Sequence, residues 1–153
     1  MKFFSLVPLF AILAVRASAG AASRVEPKFS TYTGFGTTYD YSQGVRMGQD
    51  IRLAGQGGWD FNGTISTNLT TEVQTTFHNI ERALRAAGSK GLGDIIALKS
   101  YHVDNIQDAL PIVTETMEEL LGDLQPIWTA IGVTALAFPG QTIEIDVEAW
   151  ASR

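Results

Sequence analysis

Residues 70–88, TTEVQTTFHNIERALRAAG, carry the strongest structural signal in the chain. Four apolar side chains recur at spacings of four, three and four residues: Val73, Phe77, Ile80 and Leu84. This spacing places all four on one face of an α-helix, and Gly88 is a natural stop after it. The pattern predicts a helix over about residues 70–87 with one buried face.

Strands are predicted on both sides of this helix. Before it, residues 45–47 and 51–54 are short strand-like runs around a turn at residues 48–50, which predicts a β-hairpin. The glycine-rich residues 55–58 are expected to break the second strand. After the helix, residues 95–103 form a nearly continuous apolar run, typical of a central strand covered by helices on one face.

The last third of the chain predicts a second helix, a strand, a turn and a final strand. The second helix is expected to end at Gly122 and to tolerate Pro111 because that proline falls in its first turn. Its apolar stripe consists of Leu110, Val113, Met117 and Leu120. Residues 127–136 are interpreted as a strand and residues 138–140 as a turn. Residues 143–148 alternate apolar and acidic side chains, the pattern of a half-buried strand.

The predicted element order is β-β-α-β-α-β-β, which indicates an α+β sandwich with two helices on one face of a single mixed sheet. A chain of 153 residues has room for one domain, and without cysteine no disulfide supports it. The second face of the sheet is partly apolar and must be covered. Another copy of the chain is the expected cover.

Three separated motifs resemble the YjgF/RidA family. Residues 41–45, YSQGV, followed by Gly48 and by residues 53–56, LAGQ, are similar to the opening hairpin of that family. Residues 79–88, NIERALRAAG, resemble its first helix, and residues 143–145, IEI, resemble its closing strand. The matches occur in the family's order and spacing. The resemblance implies a chorismate-mutase-like fold and a homotrimer with a ligand cleft at each subunit interface.

The resemblance also implies hydrolysis of reactive imines and enamines, without a cofactor or metal. In the family an arginine in a P-A-R-S motif grips the substrate carboxylate through two charge-assisted hydrogen bonds. Here residues 126–129 are PIWT, so Trp128 stands at the arginine position. Ordinary imine deamination is therefore disfavoured, and a flatter, more apolar ligand is expected. The alternative is that Trp128 packs into the sheet.

Several other positions match residues that line the family's cleft: Tyr41, Gly55, Gln56, Thr129 and Glu144. Glu144 is the leading acid/base candidate, because shielding from water in an interface makes a carboxylate a stronger proton acceptor. The alternative is that Glu144, Asp146 and Glu148 form a solvated strand face. Arg52 is the candidate to replace the missing anion contact.

Tyr101 and His102 are adjacent on the predicted central strand, where neighbouring side chains point to opposite faces. One of them is expected to face the cleft. His102 is interpreted either as a general base or as a hydrogen-bonded structural side chain. We therefore expect catalytic roles for Glu144, Tyr41 and His102, and substrate contacts from the other candidates.

The first residues predict export from the cell. A charge at Lys2, an apolar run over residues 3–15 and the small residues 17–19 are typical of a secretory signal, which makes residues 1–19 the signal segment. The alternative is an amphipathic helix. Residues 20–40 are expected to form a loosely ordered leader, and residues 41–153 the RidA-like domain.

A secreted or secretory-pathway location makes two sequons relevant, at Asn62 and Asn68, as glycosylation sites. The net charge of -5 argues against a nucleic-acid partner, since phosphate binding relies on Lys and Arg. Three functions remain open. The first is acid/base chemistry, by isomerisation, cyclisation or hydrolysis, on a mostly apolar metabolite, as in secondary metabolism. The others are imine or enamine deamination with an altered substrate, through Arg52, and small-molecule binding without turnover.

Overall fold

The computed structural model describes residues 25–32 and 38–151. In this part of the chain two long helices, α1 (Leu69–Ala86) and α2 (Ile106–Leu121), pack on one mixed sheet. The strands are β1 (Lys28–Ser30), β2 (Gly44–Met47), β3 (Asp50–Gly57), β4 (Ile95–His102), β5 (Ile127–Gly132) and β6 (Ile143–Trp150). They lie in the order β1-β2-β3-β6-β4-β5, and only β4 and β5 pair in parallel. The predicted α+β sandwich is confirmed.

Helix α1 forms as its sequence pattern predicts. The side chain of Asn68 caps its first turn by accepting a hydrogen bond from the Thr71 N–H at 3.0 Å. The four stripe residues Val73, Phe77, Ile80 and Leu84 are fully buried. Gly88, at φ +82°, reverses the chain after the helix, and the Ser89 N–H bonds back to the Leu84 carbonyl at 2.9 Å.

Helix α2 begins earlier than predicted. Asn105 caps it by accepting from the Gln107 N–H at 3.2 Å, so Pro111 lies in the second turn and not in the first. Pro111 is exposed, and solvent can therefore satisfy the carbonyl that loses its helical partner. The buried face also differs from the predicted stripe. Its buried residues are Ala109, Val113 and Thr116, whereas Leu110, Met117 and Leu120 of the predicted stripe are only half-buried.

The predicted hairpin is present, but its second strand is longer than expected. Met47 pairs with Asp50 across a turn that contains Gly48 at φ +65°. Strand β3 continues through Gly57, because a register shift between Leu53 and Gln56 lets it stay paired with β6. The glycine-rich stretch therefore bends the strand and does not end it. Strand β5, by contrast, ends before the predicted residue 136.

One element falls where the leader was expected to lack structure. Residues 28–30 form the edge strand β1, which pairs antiparallel with β2. The predicted signal segment, residues 1–19, lies outside the described residues. No helix in the described ranges is long and apolar enough to cross a bilayer.

The two faces of the sheet have different environments. On β6, Ile143, Ile145, Val147 and Ala149 point toward the helices and are buried in the core. Glu144, Asp146 and Glu148 alternate with them on the other face. That face is open in the single chain, and Ile127 of β5 exposes 76% of its surface there. The candidate site lies on the open face.

Candidate functional site

A cavity of about 320 Å³ lies beside Glu144 on the open side of the sheet. It is lined by Tyr39, Tyr41, Ala54, Gly55, Trp59, Ala137, Phe138 and Glu144. The lining is thus four aromatic rings, three small residues and one carboxylate. Such a concave, mostly apolar space with one polar group fits a small flat ligand.

The position of the Glu144 carboxylate is fixed by two neighbours. The Gln141 side-chain amide donates to Glu144 Oε2 at 3.1 Å and to the Ile143 carbonyl at 3.1 Å. On the other side the carboxylate lies directly against Gly55, where a Cβ atom would overlap it. Gly55 is brought there by the bulge in β3. Only a glycine allows the carboxylate to approach the strand this closely.

The aromatic wall is built around Phe138. Its ring makes edge contacts with Tyr39, at 5.9 Å between centroids, and with Trp59, at 5.4 Å. The turn that carries Phe138 is tied to Gln141, because the Phe138 N–H donates to Gln141 Oε1 at 3.3 Å. Buried Gln141 therefore holds both the aromatic wall and the carboxylate.

Tyr41 is the residue with a titratable hydroxyl group that the sequence analysis named and that lines this cavity. Burial raises the pKa of the Tyr41 phenol, and the negative charge of nearby Glu144 raises it further. The phenol therefore stays protonated at neutral pH and is available as a hydrogen-bond donor. Three residues named from the sequence, Tyr41, Gly55 and Glu144, thus meet at one cavity.

The structure places Trp128 and His102 on the other face, toward the helices. The Trp128 indole Nε1–H donates to Ser100 Oγ at 2.8 Å, and its ring packs against the core. His102 is fully buried, with its Nε2 at 2.7 Å from the same Ser100 oxygen. Burial lowers the pKa of His102. Neither side chain lines the Glu144 cavity.

Comparison with known proteins agrees with this architecture. A sequence profile of the family described as Endoribonuclease L-PSP matches residues 33–151. The RutC family protein YjgH of Escherichia coli K12 is 36% identical over 107 residues, which cover 70% of this chain and 79% of that protein. The chain belongs to the YjgF/RidA family.

Solved structures of YjgF/RidA proteins show the same fold. A structure of protein YjgH has a TM-score of 0.71 at 30% identity, covering 86% of this chain and 97% of its own. Rv2704 from Mycobacterium tuberculosis, a member of the YjgF/YER057c/UK114 family, has a TM-score of 0.70 at 26% identity, covering 82% of this chain and 100% of its own. The family's motifs in the opening hairpin and closing strand therefore lie, in this chain, on either side of the cavity.

Other candidates expected from the YjgF/RidA resemblance lie near the cavity but outside its lining. Tyr101 is the cross-strand neighbour of Glu144, and its hydroxyl donates to Asp146 Oδ2 at 3.2 Å. Thr129 is exposed on the same face of β5. Gln56 is fully buried and bonds to the Ala54 carbonyl at 2.8 Å. Gln56 thus stabilises the backbone of strand β3.

Arg52 does not line the Glu144 cavity. Its guanidinium pairs with Asp50 at 3.2 Å. It lines a separate small cavity of about 150 Å³ together with Lys99, Asp146 and Glu148. The described residues around the Glu144 cavity include no arginine or lysine. An anion would find no charged donor among them.

Sequence reasoning missed Gln141, Phe138, Tyr39 and Trp59. Phe138 begins the predicted turn and Gln141 follows it, shortly before the alternation of β6, and this is the signal that could have drawn attention to them. The sequon residues Asn62 and Asn68 are both exposed. The parts of the chain that the structure describes hold no cluster of three or more metal-ligating side chains.

Proposed function

We propose that this cleft carries out acid/base chemistry on a mostly apolar small molecule, with Glu144 as the group that moves the proton. The observation that supports the proposal is a single carboxylate, fixed between Gln141 and Gly55, in a cavity otherwise lined by aromatic and small residues. Isomerisation, cyclisation and hydrolysis all need one well-placed proton acceptor.

The geometry supports different roles for the residues that line the cavity and for Gln141, which holds Glu144. Glu144 accepts a proton from the substrate or from a water molecule and returns it to a different atom. The protonated Tyr41 phenol donates a hydrogen bond to the oxygen or nitrogen on which electron density develops. The rings of Trp59 and Phe138 stack on a flat ligand and exclude water from it. Gln141 holds the carboxylate in place before the substrate arrives.

A homotrimer with the cleft at the subunit interface is part of this proposal. The open sheet face carries exposed Ile127, and the Glu144 cavity lies on the same side. Covering that face with a neighbouring copy would bury apolar surface and close the cavity. We also propose that the protein is secreted or resides in the secretory pathway and serves secondary metabolism, with Asn62 and Asn68 as glycosylation sites. Its support is the signal-like residues 1–19 and the exposed asparagines.

Two other functions are weaker on this geometry. Imine or enamine deamination of a carboxylate substrate needs an anion contact, and Arg52 points to a different cavity. We expect keto-acid release from freshly generated 2-aminoacrylate to stay at the background rate. Binding without turnover is favoured by the loss of the family's arginine, and the experiment below separates it from catalysis.

Native mass spectrometry of the purified protein with a metabolite library would identify the captured ligand, and its conversion would then be followed by mass. At saturating ligand, Glu144→Gln should lower turnover about a hundredfold, because an amide cannot accept the proton. Glu148→Gln, on the same strand but outside the cavity, is the matched control and should keep full turnover. Unchanged turnover in Glu144→Gln would refute the proposal.

A further inference from the structure

The charged groups in the lining of the Glu144 cavity are all of one sign. Glu144 is the one acidic residue in the described lining, and no basic residue accompanies it. Its neighbours are the aromatic rings of Tyr39, Tyr41, Trp59 and Phe138. The Gln141 amide that bonds to Glu144 is neutral. The described lining therefore has a net negative charge.

Three basic side chains of the surrounding elements, Arg82, Arg52 and Lys99, lie outside the cavity lining. The Arg82 guanidinium stacks over the rings of Tyr32, at 5.0 Å, and Phe61, at 4.5 Å. Arg52 pairs with Asp50, and Lys99 lines the separate cavity beside Arg52. None of these three side chains lines the Glu144 cavity.

Aromatic faces and a carboxylate attract the same kind of ligand. The face of an aromatic ring carries negative charge density and binds ammonium and similar cations. A carboxylate in a partly desolvated cavity attracts a cation and repels an anion. The two features act together on one small volume.

We propose that the cleft selects a flat, positively charged amine that carries no carboxylate. The inference rests on the proposed function and names its substrate class: the cation lies against the rings and beside Glu144, and the flat body fills the cavity. The loss of the family's arginine and the retention of the carboxylate would together reverse the charge preference of the site.

Three indoles of nearly equal shape test this preference: tryptamine, neutral 3-ethylindole and anionic indole-3-propionate. Isothermal titration calorimetry of the purified full chain should show tryptamine binding about tenfold more tightly than 3-ethylindole. Indole-3-propionate should bind most weakly. Added salt should weaken tryptamine binding and leave 3-ethylindole binding unchanged.

Variants locate the charge that causes the preference. Glu144→Gln should lower tryptamine affinity to within about twofold of that of 3-ethylindole, since only the Coulomb contribution is removed. Glu148→Gln removes an equal charge from the same strand outside the cavity and should keep the ranking. An equal loss in both variants would mean that general surface charge attracts the amine, which overturns the inference.

The remaining outcomes separate this inference from the proposed function. Equal affinity for all three indoles would overturn the charge preference and leave the acid/base cleft intact. Loss of the preference in Glu144→Gln together with unchanged turnover would support the amine site and refute the catalytic role of Glu144. Failure of the folded protein to bind any of the three would overturn the amine inference, whereas the acid/base function is tested separately by the turnover of Glu144→Gln.

Discussion

The two faces of the sheet formed by β4, β5 and β6 have different roles. Toward the helices, Trp128, Ser100 and His102 form a buried chain of polar contacts at 2.8 and 2.7 Å. On the opposite face, Glu144 and its neighbours line a cavity that is open in the single chain. His102 and the cavity-side Tyr101 are adjacent in sequence, as are buried Ile143 and Glu144. The face a side chain occupies, more than its chemical type, determines its role.

The physical reason lies in the cost of burial. A polar group on the helix side is removed from water and must find a partner inside the protein, so it contributes to stability. Glu144 is only half-buried and keeps access to a ligand. Substitutions on the helix side should therefore change the free energy of unfolding, and substitutions on the cavity side should change ligand handling.

The largest expected effect is at Glu72, a buried carboxylate in the first turn of α1. Its Oε1 accepts from the N–H groups of Thr142, at 2.8 Å, and Ile143, at 3.2 Å. Its Oε2 accepts from the Thr142 hydroxyl. Glu72→Ala leaves these donors without a protein acceptor and should lower the free energy of unfolding by about 3–5 kcal/mol.

Urea denaturation followed by circular dichroism measures this loss. Glu72→Gln keeps one acceptor oxygen and should be less destabilising than Glu72→Ala. A change below about 1 kcal/mol in Glu72→Ala would show that water replaces the carboxylate, and that the helix side is less closed than the contacts indicate.

Trp128 should give the next largest effect. Trp128→Ala removes a ring that packs against the core and should destabilise the protein by about 2–3 kcal/mol, less than a fully buried tryptophan would. Trp128→Phe loses mainly the bond to Ser100, about 1 kcal/mol. Ligand affinity of the folded protein, measured by calorimetry, should not change. Loss of affinity without loss of stability would instead place Trp128 in the cleft.

Trp128 also shows where sequence reasoning ends. The stripe of α1 and the alternation of β6 are local patterns, so the helix and the outward face of Glu144 were predictable. Which way Trp128 points depends on the register of β5 against β4, where it pairs with Leu98, and a shift of one residue reverses the face. The register comes from tertiary packing. The sequence resemblance located the position and left its orientation open.

The aromatic wall of the cavity could not be predicted from the sequence, for a similar reason. Tyr39, Trp59 and Phe138 come from three short segments outside the six strands and the two long helices, and no periodic pattern describes them. They meet because the bulge in β3 and the turn before β6 lie side by side, which is a property of the folded sheet. Tyr41, Gly55 and Glu144 were found because the family resemblance named their positions.

Substitution of Gly55 tests how closely the Glu144 carboxylate packs against strand β3. In Gly55→Ala the new Cβ overlaps the Glu144 carboxylate, so we expect destabilisation of about 1–3 kcal/mol and loss of ligand binding. Gly132→Ala, in β5, meets no atom within 4 Å and should change stability by less than about 0.5 kcal/mol.

A double-mutant cycle with Glu144→Ala identifies the collision. If the carboxylate is the clashing group, its removal should relieve most of the cost of Gly55→Ala, and the two changes should not add. Simple additivity would mean that Gly55 is needed for backbone conformation alone.

The smallest expected effect is a pH dependence of the free energy of unfolding, caused by His102 on the helix side of the sheet. Burial lowers the pKa of His102 below its ordinary value of 6.5. Between about pH 6.5 and the lower folded value, the unfolded chain binds a proton that the native protein does not, so stability should fall as the pH falls. Above that range both states are neutral at this side chain, and its contribution is constant.

The difference between wild type and His102→Gln isolates this contribution from the carboxylates. Urea midpoints at about pH 7.5 and pH 5 should decline less in His102→Gln than in wild type. His78→Gln, on the exposed side of α1, is the control and should follow the wild type. An identical decline in His102→Gln and wild type would mean that His102 gains a proton without opening the core. The contacts among Trp128, Ser100 and His102 would then be more accessible to water than the burial of His102 indicates. The helix side of the sheet would differ less from the open face than we propose.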